Sequence, residues 1–419
     1  MSSTPQEILD MIVSHSKSDD TYLQNASLVC RSWALASQRH LFRRLRLATR
    51  SRVHKEDDDS DPAAFFAESP HLAAYVRELD INVGCCWDTT HGSRNDKTHP
   101  EGPLGYSCIL AGNSAITAEL LSKFPNVQRL ELWGEECEMK LDVEFAPEFL
   151  KAVQQVVRRP LMKHLVFEGF NFKTKAELDA IVDSIDHPLA LIELTSVSVG
   201  EDFPVQPPSS GVANDGGLVV DTFRLQSSPL HSAVLWFEKL KNAATIRSLV
   251  LTHNMEVGRA FSIERFLTQI MPAGLQSLEF STVHGFALGI LDLGKFRSLR
   301  SLAIILEVNT SNRDDEHKWD SAIEGRALIA FIKNIEGPSL MEHIKIHKTS
   351  VNMRNSLRDN TILETWTSLD DILAGSAFPH LKTLELGLID PSAWHLFEKA
   401  MPLLKGKGVL RLQEDVAML

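Results

Sequence analysis

The chain has 419 residues, 43% hydrophobic and 23% charged, the make-up of a folded globular protein rather than a disordered, collagenous or small disulfide-stapled one. Its net charge of −12 disfavours whole-molecule binding to nucleic acid or an anionic membrane, because the long-range field repels phosphate. No run approaches the roughly 18 consecutive apolar residues of a membrane span. The first ten residues lack the basic start and apolar run of a secretory signal, and the five scattered cysteines read as reduced thiols in the cytoplasm or nucleus.

In chain order, Thr4-Pro5-Gln6-Glu7 reads as a helix start. Thr4 can cap an amide, Pro5 sits where its missing N–H costs nothing, and Glu7 can close a capping box. Ile8, Leu9 and Ile12 then share one helical face. Ser18-Asp19-Asp20 offers a second cap before Tyr22, Leu23 and Ala26, and a third apolar segment runs from Leu28 to Phe42. Three short helices in about 45 residues bury too little surface to be robust alone, so the head leans on a neighbour or a partner. It carries seven cations (Lys17, Arg31, Arg39, Arg43, Arg44, Arg46 and Arg50) against Glu7, Asp10, Asp19 and Asp20, a net of +3 that leaves −15 for the rest.

Three blocks of this head resemble an F-box in order and spacing. They are Pro5-x-Glu7-Ile8-Leu9-x-x-Ile12, Ser27-Leu28-Val29-Cys30-Arg31-Ser32-Trp33, and His40-Leu41-Phe42-Arg43-x-Leu45-x-Leu47. One departure is that Thr4 stands where that family usually has Leu. The resemblance implies a three-helix domain over residues 1–50 that docks a Skp-type linker protein and, through it, a cullin. The residues it implies for that contact are Pro5, Ile8, Leu9, Ile12, Leu28, Val29, Cys30, Arg31 and Trp33. On its own chemistry Cys30 reads as a small buried apolar side chain, not a nucleophile.

Residues 51–69 hold the run Lys55-Glu56-Asp57-Asp58-Asp59-Ser60-Asp61-Pro62, expected to be a solvated acidic linker. Order restarts with Ser69-Pro70-His71-Leu72-x-x-Tyr75-Val76-Arg77-Glu78-Leu79, a string similar to the segment after the F-box in fungal-type members of that family.

From residue 70 to 419 a template of three apolar positions, Φ-x-x-Φ-x-Φ, recurs. Its copies are Val76/Leu79/Ile81, Val127/Leu130/Leu132, Met162/Leu165/Phe167, Leu189/Ile192/Leu194, Val220/Phe223/Leu225, Ile246/Leu249/Leu251, Leu275/Leu278/Phe280, Leu299/Leu302/Ile304, Met341/Ile344/Ile346 and Leu381/Leu384/Leu386, with a partial copy at Leu410/Leu412. Middle positions are spaced from 24 to 51 residues apart, and the shorter gaps approach the roughly 20–29 of leucine-rich repeats. Each triplet reads as a short strand with alternate side chains inward. Segments between them, such as Phe149 to Val157, Leu178 to Ile185, Val234 to Leu240 and Ala327 to Ile335, have helical periodicity. The expected class is therefore α/β: a helical head followed by an irregular leucine-rich-repeat solenoid, with parallel strands on the concave side and helices on the convex side. Loop insertions are expected near 82–114, 200–217 and 308–320. A doubly wound nucleotide-binding sheet has little support, because no glycine-rich phosphate loop follows any strand.

Catalytic chemistry is hard to find. There is no Gly-x-Ser-x-Gly or His-Glu-x-x-His, so no catalytic residue, cofactor or metal is expected. Cys85 and Cys86 with His91 and His99 give a remote reading as a metal-assisted hydrolase, but adjacent cysteines seldom serve zinc. Trp87, Trp133 and Trp319 are the side chains expected to meet a protein client, since exposed Trp anchors interfaces. Together with the resemblance, this implies a non-catalytic substrate adaptor of a cullin-based ubiquitin ligase. The alternative is an F-box scaffold without a role in ubiquitin transfer. Neither involves a nucleic acid or a membrane, and the client is an unidentified protein.

Overall fold

A computed structural model describes residues 6–15, 20–48, 62–83, 108–109, 118–134, 142–145, 147–169, 171–172, 174–199, 219–226, 246–252, 274–283, 293, 296–307, 328–335, 338–348, 360–388 and 394–414. They belong to two compact units, Met1–Leu218 and Val219–Leu419. The division falls inside the stretch expected as one solenoid, and the head is no separate unit.

The first unit opens with three helices, α1 (Gln6–His15), α2 (Asp20–Ser27) and α3 (Arg31–Leu41). Val13, Leu23 and Ala36 form their buried centre, with Tyr22, Trp33 and Leu41 packed round it. The proposed caps Thr4, Ser18 and Asp19 lie outside the described residues.

Strand β1 (Arg44–Ala48) follows α3 directly. It pairs in parallel with β2 (Glu78–Asn82), so the sheet begins within the stretch assigned to the head. The leucines Leu45 and Leu47, read as the last block of the F-box-like segment, serve as one more copy of the strand template. The expected acidic linker is also partly structured, because Pro62–Glu68 is helical. Phe65 of that helix stacks on Phe42 of the head at 6.1 Å, and Phe66 meets Phe124 edge-on at 4.9 Å. Aromatic contacts therefore join the head to the first repeats.

The main sheet of this unit continues through β4 (Arg129–Trp133), β6 (His164–Glu168) and β8 (Leu189–Thr195), every neighbour parallel. The middle positions stack in one row, Leu45, Leu79, Leu130, Leu165 and Ile192. The third positions stack beside them as Leu47, Ile81, Leu132, Phe167 and Leu194. All of these except the edge residue Leu45 are buried. The period-2 alternation of strands explains it: a register that aligns one apolar position aligns all of them.

A second parallel ladder was not evident in the sequence. It consists of β3 (Cys108–Ile109), β5 (Asp142–Glu144), β7 (Asn171–Phe172) and β9 (Ser198–Val199). Strands of two or three residues are too short to leave a period, and β3 lies within the expected 82–114 insertion. The turns leading into this ladder are stacked as well, for Val83 N donates to Trp133 O (2.7 Å), Gly134 N to Glu168 O (2.8 Å) and Gly169 N to Thr195 O (2.8 Å). Gly169 has φ +74° and approaches the Gly134 carbonyl so closely that a Cβ would stand 2.9 Å from it. Only glycine fits there without a shift.

Helices Ala118–Ser122, Pro147–Val157 and Lys175–Val182 close the repeats. The apolar stripes expected of the last two are buried at Phe149, Val153, Val156 and Val157 and at Leu178, Ile181 and Ile185. Phe167, Phe172, Phe145 and Phe149 form a chain of ring contacts at 5.4 to 5.7 Å that runs from sheet to helix and marks the core. Glu177 receives Thr174 N at 3.2 Å and Phe145 N at 2.9 Å, capping its own helix while holding the end of β5.

The second unit repeats the plan in a seven-strand parallel sheet: β10 (Val220–Gln226), β11 (Ser248–Thr252), β12 (Ser277–Val283), β13 (Ser301–Glu307), β14 (His343–Lys348), β15 (Thr383–Leu388) and β16 (Leu410–Glu414). Its middle row is Phe223, Leu249, Leu278, Leu302, Ile344, Leu384 and Leu410. A helical run at 328–333 buries Leu328, Phe331 and Ile332, as the periodicity predicts. At the chain's end, buried Asp370 of helix Asn360–Ala374 accepts the backbone amides of Leu403 and Leu404, each at 2.8 Å. It thereby caps helix Pro402–Gly406, whose first amides have no partner within their own helix. The segments near 200–217 and 308–320, and the stripe at Val234 to Leu240, lie outside the described residues.

Candidate partner-docking surfaces

The turn between α2 and α3 carries the rarest block of the sequence. Leu28 N donates to Asn25 O (3.1 Å) and Val29 N to Ala26 O (3.2 Å), while the Cys30 carbonyl starts α3 by accepting Ala34 N (2.8 Å). This tight reversal turns both apolar side chains into solvent: Leu28 is 83% exposed and Val29 67%. Ile8, Met11 and Ile12 are exposed on α1, and Leu35 on α3. The Gln6 amide reaches Ser32 O at 3.3 Å and so places the start of α1 beside the start of α3.

Of the expected linker-contact residues, Ile8, Ile12, Leu28, Val29, Cys30 and Arg31 are therefore accessible. Leu9 is not: it is 5% exposed, on the inward side of α1 that also presents Val13 to the core. Trp33 is half-buried against the head's own cluster. The expectation that Cys30 is buried is overturned, because the residue occupies the N-cap of α3 with extended backbone and faces solvent. Pro5 lies outside the described residues. Exposed Met11 and Leu35 were not among the expected contacts, although Met11 lies between Leu9 and Ile12 and Leu35 lies in the apolar segment that begins at Leu28.

A second surface lies on the polar side of the first unit's sheet. Residues between the apolar rows alternate outward, bringing Arg44, Arg46, Asp80, Glu131, Arg129 and Trp133 onto neighbouring strands. Arg46 sits over the Trp133 ring at 5.6 Å from its centroid, a cation–π contact. Arg44 Nε pairs with Asp80 Oδ2 at 2.5 Å and its Nη2 with Glu131 at 3.8 Å; Arg129 Nη2 holds Glu131 at 2.8 Å. Asp80 is fully buried, and among the described residues its Oδ1 has no hydrogen-bond partner. Burial pushes its carboxyl above the ordinary carboxylate range, outweighing the Arg44 hydrogen bond that favours the charged form. Trp133, one of three tryptophans expected to meet a client, is thus on the sheet's polar face, half-exposed. Trp87 and Trp319 lie outside the described residues.

The second unit's sheet presents a comparable polar face. Lys345 pairs with Glu385 at 2.7 Å, His343 bonds Thr383 at 2.7 Å, and Glu342 bridges Arg300 and Lys382. The two cations hold the Glu342 carboxyl below the usual range, Lys382 first. The His347 ring lies over Gly387, where an added Cβ would stand 2.5 Å from Nδ1.

Cys85, Cys86, His91 and His99, the basis of the hydrolase reading, lie outside the described residues. Among the described residues no three His, Cys, Asp or Glu side chains group as a metal site, and no helix is long and apolar enough to cross a membrane. No family model matches the chain, and no curated protein matches it.

Proposed function

We propose that this chain is a non-catalytic substrate-recognition adaptor of a cullin-based ubiquitin ligase. The head docks a Skp-type linker, and the repeats hold a protein client. The observation that carries the reading is the exposure of Leu28 and Val29 within the F-box-like block. Branched apolar side chains held on a tight turn gain by being covered, at roughly 25 cal/mol per Å² of apolar surface removed from water. The basic charge of the head supports an acidic linker, and the acidic body favours a client with a basic patch. Such an adaptor needs no catalytic group, because holding a client lysine beside a charged conjugating enzyme raises its effective concentration. Trp133 and the charged network beside it are the client contacts this reading favours on the described surface.

The test is capture of a purified Skp-type linker by the full chain and by the Leu28→Asp/Val29→Asp double variant. The proposal requires that the wild type binds and that the variant, folded as judged by its melting curve, does not. Equal capture by the two would remove the ligase reading.

A further inference from the structure

Where the head meets the first repeat there is a cavity of about 460 Å³ lined by Arg39, His40, Arg43, Ala74, Tyr75 and Arg77. Three arginines, a histidine and a tyrosine contribute to its wall, in a protein whose net charge is −12. We propose that this cavity binds a dianionic phosphate group, free or carried as a monoester. This proposal is independent of the adaptor reading.

The arrangement is held by backbone. Arg43 O accepts both Arg77 N (2.8 Å) and Glu78 N (2.9 Å), which fixes the end of the head's basic segment to the start of β2. The Arg77 guanidinium donates to the carbonyls of Ala74 (3.3 Å) and Asn126 (3.4 Å) and, among the described residues, has no carboxylate partner. Arg39 and Arg43 each have one, Asp10 at 3.2 Å and Glu78 at 3.1 Å, but these pairs are at the surface and open to competition from a ligand. Forked guanidinium donors match the oxygens of phosphate better than a single point charge would. The cavity also exceeds the volume of phosphate alone, leaving room beside Ala74 and Tyr75 for the group that carries it. Because the molecule as a whole repels anions, binding depends on these short-range contacts and weakens steeply with salt.

The experiment titrates the full chain by calorimetry at fixed ionic strength with three probes: O-phosphoserine, inorganic phosphate and serine. O-phosphoserine or phosphate should bind saturably while serine does not, and Arg39→Gln and Arg77→Gln should each weaken that binding by about tenfold. Tighter binding of O-phosphoserine than of inorganic phosphate would assign the site to a phosphorylated side chain of a protein. Equal binding would assign it to a free phosphate anion. Arg39 is exposed and pairs only at the surface, so Arg39→Gln decides the matter if Arg77→Gln does not fold. Unsaturable binding, equal binding of serine, or unchanged affinity in Arg39→Gln would overturn the proposal.

Discussion

The head and the repeats use the same kind of residue in opposite ways. Along the strands, the inner apolar positions of the template are buried almost without exception, whereas in the head Leu28, Val29, Ile8, Met11 and Ile12 face water. The repeats can hide their leucines because each strand is covered by its neighbours and by the helices behind it. A head of three short helices has a small buried centre, Val13, Leu23 and Ala36 with the side chains round them. The large apolar side chains it leaves outside lie on the α2–α3 turn (Leu28, Val29), on α1 (Ile8, Met11, Ile12) and at Leu35 of α3.

The largest effect expected from this contrast is on binding alone. Leu28→Asp with Val29→Asp should lower linker affinity by more than about a hundredfold and shift stability by less than about 0.5 kcal/mol per site, as for other surface changes. Calorimetric binding beside a denaturant titration separates the two effects. The reverse pattern is expected in the repeats. Phe167→Ala removes a fully buried ring from the chain of aromatic contacts behind β6, and chemical denaturation should show a loss of about 3–5 kcal/mol.

A smaller loss is expected from Asp370→Ala, which strands the Leu403 and Leu404 amides, the second of them buried, at the start of helix Pro402–Gly406. About 1–3 kcal/mol should disappear from the second unit's unfolding, read by hydrogen exchange at Leu403 and Leu404. The subtlest test concerns Asp80. Its folded-state pKa is raised, so the folded protein holds a proton that the unfolded chain releases near pH 4. Stability contributed by this group is present below that value and lost as pH rises through the raised one. Asp80→Asn should flatten that part of the stability–pH curve; a slope identical to wild type would show that another group is responsible.

Much of this architecture was legible because a strand template with ten full copies is a long-range signal. Leu79, Leu130, Leu165 and Ile192 were aligned by spacing before their register was seen, and the register matches them one to one. The four-strand minor ladder was illegible, since two residues such as Asn171 and Phe172 establish no period. The pairing of β1 was illegible for a different reason: Leu45 and Leu47 satisfy two templates, and local pattern alone does not say which neighbour they pair with. Leu28 and Val29 read as the start of a third apolar segment, whereas the structure places them on the turn before α3. Whether Cys30 and Leu9 face in or out depended on the packing of α1 against α3, which composition does not report.

The placement of β1 has a consequence for how the head can be removed. Truncation after residue 50 would take β1 with it and uncover the hydrogen-bonding edge of β2, a template for pairing with another chain. Self-association through that edge would confound any binding measured with such a fragment. A cut between Leu41 and Phe42 keeps Arg43, β1 and the Phe42–Phe65 stack in place, so the seam at which this protein can be opened lies inside its sequence motif rather than at the motif's end.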